Sequence, residues 1–233
     1  MILVNNAGVT APPKPITQLT PQDWDWLIGV NVYGVVHGIR SFLPLIRRHG
    51  EGGHVVNTAS IGGLQVRTGR GTGGYAATKF AVVAISEALQ QELDGSGIGV
   101  SVLCPAAVDT AIYESTTRRP ARFGGPFVPP GGVPSRAEML PGALPPDTVG
   151  ERVLHAIRTD EFFVFTHEGP RAWLEERHRR LMDGFDRAAA YNRQNGIKTG
   201  TQVAREEQTC SAARSVFLPP IPAACRGRTT SSA

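Results

Sequence analysis

Short apolar runs alternate with longer stretches of helical spacing through most of the chain. Ile2-Leu3-Val4, His54-Val55-Val56-Asn57-Thr58-Ala59, Ile98 to Leu103 and Phe162-Phe163-Val164-Phe165 each have the length and the β-branched or aromatic content of a strand. Between them, Thr20-Pro21-Gln22-Asp23 opens a helix with an N-cap, a proline at the first helical position and an acid three residues after the cap. That helix is predicted to run to about Arg48, bent near its end by Pro44, with Asn31 in its middle. A second helix runs from about Tyr75 to Leu93, with Phe80, Val83, Ile85, Leu89 and Leu93 as its apolar positions, and Asp94-Gly95-Ser96-Gly97 closes it. A third spans Asp147 to Arg158 with an Asp cap, and a fourth runs from Arg171 to about Tyr191, offering Trp173, Leu174, Leu181 and Phe185 for packing. The Phe162–Phe165 strand is expected in the core. Strands alternating with helices in this way predict an α/β fold built on a parallel sheet with crossover helices.

Two stretches break the pattern. Residues 109 to 147 carry eight prolines, with Arg118, Arg119 and Arg122 ahead of Phe123 and Phe127, and read as a long loop without regular structure of its own. The arginines are expected to form a solvated face. From Gly196 onward periodicity vanishes and Ser, Thr, Ala and Pro dominate, so 196–233 is expected to be a disordered tail.

Composition changes this picture little. The chain has 233 residues, 41% hydrophobic and 19% charged, enough for one domain with a sizeable core. The net charge is +4, but the five cations and two acids beyond Gly196 account for +3 of it. A diffuse excess of this kind is not a nucleic-acid-binding face. No apolar run approaches the ~18 residues of a membrane span, and Met1 leads directly into strand-like sequence rather than a leader. Cys104, Cys210 and Cys225 are widely spaced without a metal-ligand pattern, so a reduced, cytoplasmic setting and no metal are expected.

The candidate chemistry lies between Asn57 and Lys79. Tyr75 and Lys79 stand four positions apart at the head of a helix, on one face and one turn apart. A phenol of reference pKa near 10 with an ammonium roughly 5 Å away, at an effective dielectric near 20, is expected to shift down by ~2 units. Tyr75 is thereby predicted to exchange a proton near neutrality. The basic residues number 24, only three of them lysine, and with four tyrosines the chance of some Tyr-x-x-x-Lys is about 0.05. Ser60, at the mouth of a strand, adds a hydroxyl able to bond a substrate oxygen. His54, at the start of the same strand, reads as structural, and Asn31, taken alone, as a polar helix residue.

Ser60, Tyr75 and Lys79 resemble the catalytic serine and Tyr-x-x-x-Lys of the short-chain dehydrogenase/reductase family. Three further pieces agree in order: Asn5-Asn6-Ala7-Gly8 after Ile2-Leu3-Val4, Asn31 in Gly29-Val30-Asn31-Val32-Tyr33-Gly34, and Cys104-Pro105-Ala106-Ala107-Val108-Asp109-Thr110. The resemblance implies a Rossmann-like, doubly wound parallel sheet and an NAD(P)-dependent oxidoreductase that interconverts a carbonyl and a secondary alcohol. It implies Tyr75 as acid/base, Lys79 lowering its pKa and holding the nicotinamide ribose, Ser60 orienting the substrate oxygen, and Asn31 supporting a water relay. Asn6, Ala7, Gly8, Tyr75, Lys79, Pro105, Val108 and Thr110 would border NAD or NADP. The loop 109–147 would be the substrate lid, with Phe123, Phe127, Met139 and Leu140 available to cover an apolar substrate. The two long helices would pair with those of another subunit in a homo-oligomer.

The departures carry expectations too. Ala106 stands where the family has Gly, and the Ile61–Gly74 connection is slightly long. The sequence holds no Thr-Gly-x-x-x-Gly-x-Gly turn. Residues 1–195 therefore read as the C-terminal two-thirds of such a domain, lacking its first strands and Gly-rich cofactor turn. The alternative expectation is an inactive fragment that acts as an interaction or subunit-pairing protein, since Ile2 to Val4 would lie on an open sheet edge.

Overall fold

The computed structural model describes residues 1–66, 71–128 and 142–199. Met139, Leu140 and most of the expected tail lie outside them. Four parallel strands, β1 (Ile2–Asn5), β2 (Gly53–Thr58), β3 (Ile98–Cys104) and β4 (Phe163–Phe165), lie side by side in chain order. Ile2 pairs with His54, Gly53 with Ile98, and Val102 with Phe163. The period of two along a strand sends successive side chains to opposite faces. On one face Val55, Val100 and Val102 pack against α2 (Tyr33–His49) and α3 (Gly73–Glu92) through Val35, Leu43, Ile46, Val82 and Leu89. On the other, Val56, Leu103 and Val164 meet Val149 and Ala156 of α4 (Pro146–Thr159). The expected α/β class and parallel sheet are present.

Several boundaries differ from the sequence expectation. The first long helix is two: α1 (Pro21–Asn31), with the anticipated capping box of Thr20 and Asp23, and α2. The irregularity is at Val32 and not at Pro44, which α2 accommodates on its exposed side. It follows Asn31, whose side-chain amide is pinned outside the helix; Val32 N still donates to Ile28 O at 3.1 Å. Asp147 lies in the first turn of α4 and makes no cap; Pro145 holds the N-cap position. In β4, Val164 is the fully buried residue, while Phe163 is half-buried and Phe165 exposed. Phe162 and Phe163 pack against the core from its margin, and Phe165 lies outside it.

The proline-rich stretch has structure in its described part: 3₁₀ helices at Ala111–Arg118 and Ala121–Phe123. The final helix, α5 (Arg171–Gln194), has no buried residue, and Trp173, Leu181 and Phe185, expected to pack, are exposed. The chain divides into two units, Met1–Asp183 and Gly184–Ala233. The described part of the second is the end of α5 and a closing turn in which Ile197 N donates to Asn192 O at 2.9 Å.

A buried polar rung ties the sheet to its helices. Asn5 Nδ2 donates to Asn57 Oδ1 at 2.8 Å, directly across the β1–β2 pairing, and Asn57 Nδ2 donates to Ser86 Oγ of α3 at 3.0 Å. A one-residue slip of β1 would leave Asn57, fully buried, without its partner, so the rung fixes register. Gly38 makes it possible: a Cβ there would sit 2.0 Å from Asn5 Oδ1.

Candidate active site

The C-terminal ends of β1, β2 and β3 share one edge of the sheet, the edge at which open α/β sheets bind ligands. β1 delivers Asn6, Ala7 and Gly8, β2 delivers Ser60, and β3 delivers Pro105. They are stitched together there: Thr58 Oγ1 donates to Asn6 Oδ1 at 3.0 Å, and Ile61 N donates to Pro105 O at 2.9 Å. Beyond Pro105, Val108 bridges to Leu144, and Thr110, whose N donates to Val108 O at 2.9 Å, is the N-cap of the 3₁₀ helix Ala111–Arg118.

Ser60 caps a single 3₁₀ turn, Ile61–Gly63, its Oγ accepting from Gly62 N at 3.1 Å. That fixes the hydroxyl oxygen; its proton is donated to Pro105 O at 3.5 Å, a long bond that a substrate oxygen could replace. α3 brings Tyr75 to the same place, since a Cβ on Gly62 would lie 3.5 Å from Ser60 Oγ and 3.8 Å from Tyr75 Cε1. One turn on, Lys79 is 2% exposed; its Nζ donates to Thr58 O at 2.7 Å and lies 5.7 Å from the Tyr75 ring centroid. Gly8 completes the cluster, because a Cβ there would stand 3.5 Å from Lys79 Nζ and 3.7 Å from Asn31 Oδ1.

Electrostatics run against the simple expectation for the phenol. Burial pushes the Tyr75 phenol up to about 12; the Ser60 hydroxyl facing it pulls the other way, and Tyr113 nearby adds to the rise. Burial likewise pushes the Lys79 ammonium down to about 8, with Cys104 opposing. The lysine lies toward the ring and is bonded to a backbone carbonyl, so the downward shift predicted from charge proximity does not occur in the free chain. Desolvation of both groups is the larger effect.

Asn31, fully buried, spends its amide on structure. Oδ1 accepts from Val9 N at 2.8 Å, and Nδ2 donates to Val9 O at 3.0 Å and to Thr78 Oγ1 at 2.9 Å. Both amide hydrogens are used, so a relay water at Asn31 would have to meet an acceptor oxygen there. Thr78 was not singled out in the sequence, although it sits inside Tyr75-x-x-x-Lys79; its Oγ1 also donates to Tyr75 O at 2.7 Å. Gly63 was missed as well. A Cβ there would be 2.6 Å from Lys79 O and 2.8 Å from Lys79 C, so the Ser60 turn rests directly on the lysine's backbone.

The lid expectation for the arginines needs correction at one position. Arg118 is exposed and pairs with Glu114, and Arg122 lies over the Phe123 ring at 4.8 Å. Arg119, by contrast, is buried and ion-paired with Asp23. A cavity of about 600 Å³, lined by Lys14, Ile16, Val66, Thr72, Ala77 and Phe80, lies off this site, on the side of α3 away from Tyr75 and Lys79. Among the described residues no cluster of His, Cys, Asp and Glu could hold a metal ion, and no helix is long and apolar enough to cross a membrane.

Residues 1–121 match the family model of the short chain dehydrogenases, so the chain belongs to the short-chain dehydrogenase/reductase family. Among curated proteins, a C alpha-dehydrogenase from a Sphingobium species is 32% identical over 78% of this chain and 59% of its own length. A CLA biosynthesis dehydrogenase/reductase from Lactiplantibacillus plantarum is 28% identical over 78% of this chain and 65% of its own. The chain thus spans about three-fifths to two-thirds of the length of these relatives. Among solved structures, a short chain dehydrogenase/reductase from Burkholderia phymatum in complex with NAD is 34% identical, covering 78% of this chain and 66% of that one, with a TM-score of 0.67.

Proposed function

We propose that the chain supplies the catalytic half of an NAD(P)-dependent oxidoreductase that interconverts a carbonyl and a secondary alcohol. The observation that carries this reading is the convergence of the Ser60 hydroxyl, the Tyr75 phenol and the buried Lys79 ammonium at the ligand-binding edge of the sheet. The donor set suits the nicotinamide end of a dinucleotide: Lys79 Nζ gives one hydrogen to Thr58 O and has two more for ribose hydroxyls. Asn6, Ala7, Gly8, Pro105, Val108 and Thr110 would border the same half. Solved relatives hold NAD, NADPH and NADH, so either form is a candidate.

The bound nicotinamide supplies or accepts the hydride. In the reduction direction the residues act in a simple order. Ser60, its oxygen held by Gly62 N–H, donates to the substrate carbonyl oxygen and orients it. Tyr75, protonated at neutral pH, donates its proton to the developing alkoxide. Lys79, mostly protonated at pH 7, then stabilises the phenolate that results. The free chain is poised as an acid; alcohol oxidation needs the phenol pulled down from about 12, which requires Lys79 to approach the phenol oxygen. Exposed Tyr33 and Phe42 on α2 support pairing with a second copy. A second reading, a non-catalytic chain that joins a partner, draws on the β1 edge, where Ile2 and Val4 are about half exposed.

Titration with NADH and NADPH, followed by nicotinamide fluorescence, separates the two. Saturable binding, with ketone turnover lost in Tyr75→Phe and Lys79→Ala, is the expected result. A folded sample that binds neither nucleotide overturns the enzyme reading for this chain, and undiminished turnover in either variant overturns the residue roles.

A further inference from the structure

We propose that Asp23 and Arg119 form a latch that fixes one wall of the active site, making both of them positioning residues. The inference rests on the oxidoreductase reading for its functional consequence but on geometry for the latch itself. The wall is the 3₁₀ helix Ala111–Arg118, whose C-cap is Arg119. Its first turn borders the catalytic cluster. Ile112 Cδ1 would be 3.9 Å from a Cβ on Gly8, the same point that lies 3.5 Å from Lys79 Nζ, and Tyr113 acts electrostatically on Tyr75.

Among the described residues, the wall's fastenings include the loop after β1 and the start of α1. Thr10 N donates to Ser115 Oγ at 2.9 Å, and Thr10 in turn accepts from Trp26 Nε1 at 3.1 Å. Phe123 packs on Trp26, ring centroids 5.3 Å apart. At the centre, Arg119 Nη1 donates to Asp23 Oδ1, with side-chain exposures of 8% and 1%, and Arg119 Nε donates to Gly125 O at 2.8 Å. One guanidinium therefore closes the loop Arg119–Gly125 and locks it to α1. Asp23 is satisfied on its other side by Thr20 N at 3.0 Å and by Lys14, 3.7 Å away.

A buried pair of this kind adds little net stability compared with an apolar pair, yet removing Arg119 leaves the buried Asp23 carboxylate to the longer contact with Lys14, and removing the Asp23 charge leaves a buried guanidinium without it. Its value is geometric: it admits one placement of the wall. Substrate would meet Ile112 and Tyr113 on the way to Tyr75, so loosening the latch acts on substrate binding more than on proton transfer.

The test compares the unmodified chain with Arg119→Met, Arg119→Lys and Asp23→Asn by hydrogen exchange and by steady-state kinetics with NAD(P)H and a ketone. In Arg119→Met, amides of 111–128 are expected to exchange about tenfold faster while β2 and β3 amides keep their protection, which also reports that the variant folds. KM for the ketone is expected to rise about tenfold with kcat within about twofold, Arg119→Lys falling between. Asp23→Asn is expected to match Arg119→Met over 111–128, and the double variant to exceed neither. Unchanged exchange over 111–128, or acceleration spread equally over the sheet, overturns the latch. A fall in kcat at constant KM overturns its positioning role. If the unmodified chain turns over no ketone, the oxidoreductase reading fails, and the exchange result alone decides the latch.

Discussion

Lys79 is held at a cost that can be measured without any catalytic assay. Its ammonium is 2% exposed and shifted from 10.5 to about 8 by burial. Each unit corresponds to 1.36 kcal/mol, so keeping the charge inside the fold costs about 3 kcal/mol at neutral pH. Because the folded-state pKa is the lower one, the unfolded chain binds more protons between pH 8 and 10.5. Stability contributed by this group therefore rises with pH across that window and is lowest below pH 8. Lys79→Met removes the charge but also the bond to the Thr58 carbonyl, worth roughly 1 kcal/mol as a neutral amine donor, the shift already containing what the charge adds. The variant is expected to be about 2 kcal/mol more stable than the unmodified chain at pH 7, the difference falling to near zero by pH 10. Tyr75 and Cys104, both raised to about 12 by burial, titrate in both proteins and cancel in the difference. Urea unfolding at pH 7, 8, 9 and 10 at constant ionic strength reads it directly. A difference that stays flat with pH would show that Lys79 is not desolvated as the structure has it, and the reasoning about its proton would fall with it.

Two other perturbations test the framework around the site. Gly63→Ala drives a Cβ into the backbone of Lys79 and is expected to cost about 1–3 kcal/mol in chemical unfolding and to abolish turnover, whereas Gly150→Ala, on α4 with open space around it, should spare both. His54 is buried, its Nε2 2.8 Å from Ser101 Oγ; burial lowers its pKa below 6.5, against the pull of Asp160. The unfolded chain then takes up a proton that the folded one resists, so stability should drop as pH falls below 6.5, and His54→Asn should flatten that drop in unfolding midpoints between pH 7 and 5. An equal acid slope in both proteins would remove His54 as its source.

What could be read from the sequence were the features whose cause is local. The strand runs, the Thr20–Asp23 capping box and the one-turn spacing of Tyr75 and Lys79 depend on residues a few positions apart, and the structure has them where expected. The break at Val32 was not legible, because its correlate is the bonding of Asn31 to Val9, 22 positions away. Arg119 looked like part of a solvated cluster for the same reason: its partner Asp23 is 96 positions distant. The direction of the Tyr75 shift was misread because spacing along a helix gives the distance to a charge but not the depth at which both groups lie. Gly63 carried no signal at all, since a missing side chain marks a close approach only once the neighbour is known.

The order of the sheet also says how such a chain must assemble. Among the described residues each strand pairs with segments far along the sequence: Asn5 and Asn57 are 52 positions apart, Ser60 and Pro105 are 45, and Ser101 meets the Glu161 carbonyl across 60. Every pairing closes a long loop before it is rewarded, and none can be nucleated by a tight hairpin. During synthesis β1 must wait until some fifty further residues have left the ribosome before it meets β2, and its exposed apolar residues are unprotected meanwhile. Refolding from denaturant should accordingly be slow and sensitive to protein concentration.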